Sequence, residues 1–489
     1  MNLQSILKDL NDAVIYGDLP QAINGITADS RKVKEGWAFI AVKGINHDGH
    51  DFIPQVEAAG GTLLFTEKEI QTKLPYIRLS DTRKAWGKLM QAWNGNPELS
   101  MKVAGITGTN GKTTVSTLVH QALQSMGNKV GLMGTIASKI GNEELESKLT
   151  TGDPEQIAHH FTAMYQAGCA YVVMEVSSHA LDQDRVSGIG YDVAVFTNIS
   201  HDHLDYHGSM EAYIQAKKKL FDSLSDHAIA IVNSDDPAVE RIIRDCKATI
   251  WRFGLNDGSL SIVEQNATGM LIEIDESLIQ TPLSGDFNAF NVAAAYLVCR
   301  ALGCSSKNAA NALTNAPGAR GRLERVTTGV DEPAVFVDYA HTPDALKNVL
   351  KTLVKLKSTG ELVVVFGCGG DRDKKKRPEM GRIAGEFADK VIVTSDNPRS
   401  ENPDTIMDEI ISGISISDSN RVKRITDRKS AIEHAIHLAT NDDIILIAGK
   451  GHENYQEING IRYPMDDTAI ARQALKARLS TSKLSKEGR

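Results

Sequence analysis

Short runs of β-branched and other apolar residues alternate with helix-like stretches in two series along this 489-residue chain. The first series begins near Val103 and contains KVAGITG, YVVMEVSS, YDVAVFTNIS and HAIAIVNSDD. The second follows residue 330 and contains AVFVDYAH, ELVVVFGCGG, DKVIVTSDNPR and DIILIAGKGHE. Strands that alternate with helices form parallel sheets covered by helices, so the sequence predicts an α/β fold.

The chain is too long for one hydrophobic core, because a single core rarely extends beyond ~250–300 residues. The segment NGNPELSM, residues 94–101, is predicted to be a linker, and a second break is predicted at TNAPGARGR, residues 314–322. We therefore predict three domains. They are a small mixed α/β domain (residues 1–100), a central parallel-sheet domain (residues 101–318) and a C-terminal, Rossmann-like, doubly wound domain (residues 319–489).

Composition excludes several classes of partner. A net charge of -8 provides no general basic face for nucleic acid or for an anionic membrane. No run approaches the ~18 consecutive apolar residues of a membrane span. The five cysteines are scattered without paired spacing, which is typical of reduced thiols: Cys169, Cys246, Cys299, Cys304 and Cys368. We expect a cytoplasmic protein, monomeric, that binds neither nucleic acid nor membrane.

The segment VAGITGTNGKTTVSTLVHQAL is typical of a strand, a glycine-rich turn and a helix. Gly108 and Gly111 allow backbone N–H groups to point inward, and the helix N-terminus adds positive potential where phosphates would lie. Lys112 can reach the β- and γ-phosphates, and the Thr113 hydroxyl can bind Mg²⁺. The spacing departs from the strict phosphate-loop (P-loop) motif because Ile106 replaces its first glycine. We predict ATP binding; a glycine-rich turn without a ligand is the alternative.

The segment EAYIQAKKKLFDSL contains three consecutive lysines. On a helix Tyr213, Lys217 and Phe221 share one face, whereas Lys218 and Lys219 are predicted to lie off it. Lys217 can lay its stem along the core and direct its amine to solvent. Alternatively its amine is desolvated and often neutral, and can take up CO₂ as a carbamate, an oxygen ligand for Mg²⁺.

A polar cluster, NISHDHLDYHG, lies just upstream of those lysines and contains His201, Asp202, His203, Asp205 and His207. The cluster could be a zinc site, a polar loop or, beside a phosphate loop, part of a Mg²⁺ site. A further candidate oxygen ligand, at the end of another predicted strand, is Glu175.

The segment TSDNPRSENP, residues 394–403, follows a predicted strand. Prolines fix φ and the residues before them avoid helix, so the loop should be stiff and should hold Arg399 still. A surface turn with a solvated Arg399 is the alternative. The segments GDRD and GKGHE end neighbouring strands, so the three loops are predicted to form one pocket. The basic run from Lys374 to Arg377 is predicted to be a solvated face.

In combination these motifs resemble the Mur ligase family of peptidoglycan precursor synthesis. The resemblance covers essentially the whole chain and also includes TTGDP, GDFNAFN, GRLERV and VDYAHTPDAL. It is strongest to the branch that joins meso-diaminopimelate to UDP-N-acetylmuramoyl-L-alanyl-D-glutamate. The resemblance implies an ADP-forming ligase that uses ATP and Mg²⁺ and proceeds through an acyl phosphate. Its three domains would bind the UDP substrate, ATP (a P-loop ATPase domain) and the incoming amino acid.

The resemblance also implies four groups of site residues. ATP contacts would be Gly108, Thr109, Asn110, Gly111, Lys112, Thr113, Thr114, Asn288, Asn291, Arg322 and Asp338. Residues that hold Mg²⁺ would be Thr113, Glu175, His203 and Lys217 as its carbamate. Contacts to the UDP-muramoyl dipeptide would be Ser30, Ile45, Asn46, His47, Thr150, Thr151, Ser177, Gln183 and Arg185. Diaminopimelate contacts would be Arg372, Asp396, Asn397, Pro398, Arg399, Gly449 and Glu453.

Three alternatives stay open. The first is a sister branch that adds L-lysine. Diaminopimelate differs from lysine by a second carboxylate, which Arg399 can bind as a bidentate pair, and Asp396 or Glu453 can bind the ammonium group at the same end of diaminopimelate. Folylpolyglutamate synthase shares a similar phosphate loop and central domain but lacks the same UDP-binding N-terminal domain. A catalytically silent structural relative is the third.

Overall fold

The computed structural model describes residues 3–8, 10, 12–44, 47–145, 149–327, 329, 332–415 and 420–487. The chain divides into two compact units. Unit 1 comprises Met1–Ser259 and Ala293–Ala312, and unit 2 comprises Leu260–Val292 and Leu313–Arg489. Among the described residues, no helix is both long enough and apolar enough to cross a membrane.

The first sheet of unit 1 contains both parallel and antiparallel strand pairs. Its strands are β1 (Val14–Tyr16), β2 (Gly25–Thr27), β3 (Trp37–Ile40), β4 (Leu63–Thr66) and β5 (Tyr76–Arg78). They lie in the order β1-β5-β4-β3-β2, and only the pair β1 and β5 is antiparallel. The accompanying helices are α1 (Leu3–Leu7), α2 (Ile53–Ala58) and α3 (Thr82–Trp93).

The second sheet of unit 1 has eight strands. They are β6 (Lys102–Thr107), β7 (Val130–Met133), β8 (Ser138–Ile140), β9 (Glu143–Leu145), β10 (Tyr171–Glu175), β11 (Val193–Phe196), β12 (Ile229–Asn233) and β13 (Thr249–Phe253). The order is β13-β12-β11-β6-β10-β7-β8-β9, with β8 and β9 added as an antiparallel edge. Its helices are α4 (Lys112–Ser125), α5 (Pro154–Gln166), α6 (Ser178–Asp182), α7 (Leu204–His207), α8 (Met210–Asp222) and α9 (Val239–Ile242).

Unit 2 begins with an antiparallel three-stranded sheet, β14 (Leu260–Asn266), β15 (Gly269–Ile274) and β16 (Ser277–Thr281). Two helices, α10 (Asp286–Ala301) and α11 (Ser306–Thr314), follow in the chain, and the stretch Ala293–Ala312 within them is assigned to unit 1.

The main sheet of unit 2 comprises β17 (Glu324–Arg325), β18 (Ala334–Asp338), β19 (Leu362–Phe366), β20 (Lys390–Val393), β21 (Val422–Arg424) and β22 (Ile444–Ala448). The order is β17-β18-β22-β19-β20-β21, and all pairs except β17 and β18 are parallel. A separate hairpin consists of β23 (Tyr455–Ile458) and β24 (Ile461–Pro464). Helices α12 (Pro343–Leu356), α13 (Lys376–Phe387), α14 (Pro403–Ile411), α15 (Arg428–Leu438) and α16 (Asp467–Glu487) complete the unit.

All eight strands predicted from the apolar runs are confirmed, as β6, β10, β11, β12, β18, β19, β20 and β22. Their side chains are buried on both faces, which is what a parallel sheet covered by helices requires. Polar caps then set where the helices begin. The Ser209 hydroxyl accepts a hydrogen bond from Ala212 N–H at the start of α8, and Ser177 does the same for α6.

The segment predicted as a linker, residues 94–101, is folded rather than extended. Pro97–Ser100 forms a short 3₁₀ helix in which Pro97 and Glu98 are buried. The Glu98 side chain is 3% exposed, and its Oε2 has no hydrogen-bond partner among the described residues. Burial therefore raises the pKa of this carboxyl group to about 6.

This raised pKa predicts a pH-dependent contribution to stability. The folded chain keeps a proton on Glu98 up to about pH 6, whereas the unfolded chain loses it near the ordinary pKa of 4.5. The contribution of Glu98 to the free energy of unfolding therefore falls as pH rises through that window. At pH 7.5 Glu98→Gln should be more stable than the unmodified protein by about 1–2 kcal/mol, with little difference at pH 4.5.

Urea unfolding of both proteins at the two pH values measures this difference. The exposed residue Glu35 provides the matched control, since Glu35→Gln should change stability equally at both. A Glu98→Gln difference that does not depend on pH would contradict the prediction.

Candidate functional site

The glycine-rich turn after β6 closes tightly on the end of β11. Gly108 has φ 150°, and a Cβ atom placed on it would lie 1.9 Å from Oγ1 of Thr197. Gly111 has φ 88° and is the residue that precedes α4. Both positions therefore require glycine, because a side chain would be strained at one and would collide at the other.

Two residues directly after β11, which the sequence analysis did not single out, support this turn: Thr197 and Asn198. The N–H groups of Thr109 and Asn110 donate to the carbonyl and side-chain oxygens of Asn198, at 2.8 and 3.0 Å. The Thr197 hydroxyl donates to Asn110 O at 2.6 Å. Polar residues directly after a strand, TNIS after β11, were the available signal.

Lys112 and Thr113 begin α4, as the P-loop reading predicts. Lys112 Nζ donates to the carbonyl oxygens of Gly108 and Thr109, at 2.8 and 2.9 Å. The lysine therefore folds back over the loop, with its amine at the turn where phosphates would lie.

Glu175 gathers hydroxyl groups around one buried carboxylate. Its Oε2 accepts hydrogen bonds from the hydroxyl groups of Thr113 and Thr135, each at 2.9 Å, and its Oε1 accepts one from Thr135 N–H at 2.8 Å. Thr135 was not foreseen, because it belongs to a separate segment after β7. The result is a compact set of oxygen atoms at the start of α4.

Lys217 does not direct its amine to solvent. The side chain is 1% exposed, and Nζ lies 4.5 Å from the centre of the Tyr213 ring. Burial lowers its pKa well below the ordinary value, the charge of Lys112 acts in the same direction, and Asp202 opposes them. The Tyr213 hydroxyl lies 3.1 Å from Oγ1 of Thr109, so this desolvated amine is next to the phosphate loop.

The prediction that Lys218 lies off the buried face is wrong. It is 7% exposed, and its amine donates to Asp222 at 2.5 Å and to Asp245 at 2.6 Å. Asp245 lies beyond α9, so a segment outside α8 supplies one of the two carboxylates that pair with this lysine.

His203 lies at the start of α7 with φ 53°, a left-handed conformation. The ring is half-exposed, 4.9 Å from the ring of His179 and 6.3 Å from that of Tyr213. Among the described residues, no group of three or more His, Cys, Asp or Glu side chains is arranged so that it could hold a metal ion.

The residues assigned to the dipeptide converge beside Glu175. Thr151 donates to Glu175 O at 2.8 Å and accepts from Ser177 N–H at 3.0 Å. Arg185 donates to Thr151 O at 3.2 Å and to Gln183 Oε1 through two nitrogens, at 3.0 and 2.6 Å.

The remaining residues of this group are Thr150, Ser30, Ile45, Asn46 and His47. The hydroxyl oxygen of Thr150 lies 3.1 Å from that of Thr135. Ser30 begins a short 3₁₀ helix, and its hydroxyl lies 3.4 Å from Gln55 Oε1. The His47 ring lies 6.3 Å from that of Phe52. Ile45 and Asn46 lie outside the described residues.

In unit 2, two of the four residues assigned to ATP, Asn288 and Asp338, form hydrogen bonds with backbone groups. Asn288 donates to Ser284 O at 2.9 Å, and Asn291 donates to Asn288 Oδ1 at 3.0 Å. Asp338 accepts from two backbone N–H groups, at 2.6 and 2.7 Å, although burial raises its pKa. The Arg322 guanidinium lies 5.0 Å from the centre of the Tyr339 ring.

The three loops predicted to form one pocket do lie together. They are residues 367–373, 396–401 and 449–457, called here the amino-acid loops. Asn397 joins two of them, because its Oδ1 accepts from Lys450 Nζ and Glu457 N–H, both at 2.9 Å, and its Nδ2 donates to Glu453 at 2.9 Å. Lys450 and Glu457 were not foreseen.

Glycine permits the close approach of these loops. A Cβ on Gly449 (φ 114°) would lie 2.6 Å from Oδ2 of Asp396. A Cβ on Gly370 would lie 1.9 Å from Pro398 O. Pro398 is buried, but Pro403 is the first residue of α14 and not part of the loop that the sequence reading described.

Arg399 is held in place rather than solvated. Its φ is 51°, its side chain is 24% exposed, and Nη1 donates to Gly370 O at 2.7 Å. Glu457 Oε2 lies 3.6 Å from Nε. Arg372 is exposed. A Cβ atom placed on Gly369 would lie 3.8 Å from Cγ of Arg372 and 3.0 Å from Nη1 of Arg399, so both arginines lie beside this glycine.

Comparisons with known proteins agree on one family across the chain. Family models match in three segments: "Mur ligase family, catalytic domain" over residues 22–94, "Mur ligase middle domain" over 106–299 and "Mur ligase, glutamate ligase domain" over 321–451. The UDP-N-acetylmuramoyl-L-alanyl-D-glutamate–2,6-diaminopimelate ligase of Listeria innocua is 42% identical over 490 residues, which is 97% of this chain and 99% of that protein. The protein of the same name from Cytophaga hutchinsonii is 38% identical over 482 residues, 97% of this chain and 99% of that protein. A solved structure of a ligase with that name is 33% identical, with a TM-score of 0.74 over 98% of this chain and 99% of that one.

Proposed function

The chain belongs to the Mur ligase family, and we propose that it joins meso-diaminopimelate to UDP-N-acetylmuramoyl-L-alanyl-D-glutamate with hydrolysis of ATP to ADP. The observation that carries this proposal is the near full-length similarity to relatives that share one name. The match to residues 22–94 argues against the folylpolyglutamate synthase alternative, which lacks that domain.

The proposed reaction needs few groups from the protein. A carboxylate oxygen of the D-glutamyl side chain attacks the γ-phosphorus of ATP, and ADP leaves. The amine of the incoming amino acid then attacks the acyl carbon, loses a proton, and phosphate leaves as the amide bond forms. Each step concentrates negative charge on oxygen atoms, so catalysis depends on positioning and electrostatic stabilisation.

The phosphate loop suits this task. Gly108 and Gly111 keep side chains out of the turn, while Asn198 holds its shape by accepting two of its N–H groups. Lys112 is already at the turn and would move from two carbonyl oxygens to phosphate oxygens. We propose that these groups bind ATP, with Asn288, Asn291, Arg322 and Asp338 as further contacts.

We also propose that Mg²⁺ is required. The Thr113 hydroxyl and the Glu175 carboxylate are the hard oxygen donors that Mg²⁺ prefers, and a carbamate on Lys217 would add another, with His203 beside it. A bound Mg²⁺ would supply positive charge to the phosphate oxygens. Glu175 would position Thr113 through the hydrogen bond that already joins them.

The carbamate on Lys217 is proposed from its surroundings. A neutral amine adds to the carbon of CO₂, forms an N–C bond and releases one proton. The buried position of Lys217 and the nearby charge of Lys112 both favour the neutral amine.

We propose that the amino-acid loops bind diaminopimelate and that the cluster around Arg185 binds the muramoyl dipeptide. Arg399 would pair with the second carboxylate of diaminopimelate, which lysine lacks. Glu457 beside Arg399 and Lys450 beside Glu453 partly balance their charges. A cytoplasmic location, a monomeric state and the three predicted domain ranges are proposed on sequence alone.

The proposal is tested by measuring phosphate release from ATP with the UDP-muramoyl dipeptide and either meso-diaminopimelate or L-lysine. Release is expected only when all three substrates are present, and much faster with diaminopimelate. Equal turnover of both amino acids would refute the specificity. No release with either would refute the ligase activity and favour a catalytically silent relative.

Removal of the Arg399 guanidinium should affect one substrate. Arg399→Ala should raise the KM for diaminopimelate by about 10²-fold or more, because its second carboxylate loses a charged bidentate partner. The KM values for ATP and the UDP substrate should be nearly unchanged. Arg382→Ala, at an exposed arginine of α13 paired with Glu386, is the matched control. Comparable increases in all three KM values would contradict the assignment.

Lys217 should carry an observable carbamate. After equilibration with ¹³C-bicarbonate, the unmodified protein should give a carbamate signal by ¹³C NMR that Lys217→Ala lacks. Lys219→Ala, at an exposed lysine on the same helix, should keep the signal. A signal that persists in Lys217→Ala would place the modification elsewhere.

A further inference from the structure

Arg377 lies on α13, outside the amino-acid loops, and the sequence reading predicted that it is solvated. That prediction is wrong, because its side chain is 0% exposed. A buried guanidinium carries a large desolvation cost and therefore needs anionic partners with good geometry. The partners of Arg377 come from two of the amino-acid loops and from α14.

The guanidinium makes four hydrogen bonds. It holds Glu401 by a bidentate pair, Nη1 to Oε2 at 3.0 Å and Nη2 to Oε1 at 2.8 Å. Nη2 also donates to Gly369 O at 3.2 Å, and Nη1 donates to Glu409 at 2.7 Å. Gly369 belongs to the first amino-acid loop and Glu401 to the second, so a single side chain joins both.

Glu401 continues this connection. Its Oε1 accepts from Asp371 N–H at 2.6 Å, and Lys374 Nζ lies 3.2 Å from Oε2. The hydrogen bond from Arg377 lowers the pKa of Glu401 to about 2, so Glu401 is an anion under working conditions. In return, Asp371 accepts from the hydroxyl and the N–H of Ser400, at 2.7 and 3.2 Å.

The residues next to these bonds are the two arginines assigned to diaminopimelate. Arg372 follows Asp371, and Arg399 precedes Ser400. Asp371 and Arg399 both have left-handed backbone conformations, with φ 52° and 51°. Such conformations cost free energy for non-glycine residues and persist only where surrounding contacts impose them.

We propose that Arg377 is a positioning residue for amino-acid binding: by holding Glu401 and Gly369 it fixes the first two amino-acid loops against each other, and with them Arg372 and Arg399. This inference rests on the proposed function, because the loops that Arg377 holds in place are those proposed to bind diaminopimelate. A purely structural role, in which Arg377 only joins α13 to α14 through Glu409, is the competing explanation.

Arg377→Lys separates the two roles, because lysine keeps the charge but cannot form the bidentate pair. The KM for diaminopimelate should rise by at least about tenfold, because small misplacements of binding groups are costly. The KM values for ATP and the UDP substrate should stay within about twofold. Arg382→Lys, on the same helix, is the matched control and should change none of them.

Two further variants keep the test decisive. Glu401→Gln retains an acceptor for Asp371 N–H but loses the charge, so it should raise the KM for diaminopimelate in the same direction. Glu409→Gln retains the contact to α14 as a neutral hydrogen bond and should leave that KM within about twofold. The proposal is overturned if Arg377→Lys and Glu401→Gln fold normally and leave this KM unchanged, or raise all three KM values equally.

Hydrogen exchange gives a readout that does not depend on ligase activity. In Arg377→Lys, amides of residues 369–373 and 396–401 should exchange faster than in the unmodified protein, and those of β19 and β22 should not. If the unmodified protein lacks ligase activity but Arg377→Lys still exchanges faster in both segments, the connection of the two loops by Arg377, the loop clamp, stands while the proposed function fails. Unchanged exchange in both segments would overturn the clamp itself.

Discussion

The carboxyl ends of neighbouring parallel strands lie at the same edge of a sheet, and the candidate site residues of both units depend on this constraint. In unit 1 the neighbouring strands β11, β6 and β10 end at one edge, which places Asn198, the glycine-rich turn and Glu175 side by side. In unit 2 the strands β22, β19 and β20 do the same for the three amino-acid loops. Segments far apart in sequence thereby acquire common hydrogen bonds, such as those that join Asn397 to Lys450 and Glu453.

Buried cations behave differently according to their partners. Arg428 is fully buried against Asp467, with a pair of hydrogen bonds at 2.9 and 2.6 Å, and its pKa is raised although burial itself acts to lower it. Lys217 packs its amine over an aromatic ring near another lysine, and its pKa is lowered. The first arrangement holds a charge permanently, whereas the second favours a neutral, nucleophilic amine. The difference separates a side chain that stabilises the fold from one that is suited to chemistry.

The features that the sequence predicted correctly are those that neighbouring residues determine. The strand runs, the glycine-rich turn and the apolar face that contains Lys217 all depend on residues close in the chain. It failed for Lys218 and Arg377, which helical spacing placed on solvated faces. Lys218 has one partner on its own helix, Asp222, but Asp245 and Glu401 come from other segments, 27 and 24 residues away from Lys218 and Arg377. Periodicity within one helix carries no information about such distant partners. Thr135 and Asn198 were missed for the same reason.

The sequence by itself determined the α/β class, the order of the strands along the chain, the phosphate loop and the resemblance to the Mur ligases, because each is written in contiguous residues. Only the tertiary structure decided that the amine of Lys217 is buried rather than directed to solvent and that Arg399 is held by Gly370 O rather than solvated. It also decided that Arg377, the last residue of a basic run, is buried and joins two of the amino-acid loops. These outcomes depend on burial and on charges that distant segments supply. The corresponding desolvation and electrostatic free energies arise only once the chain has folded.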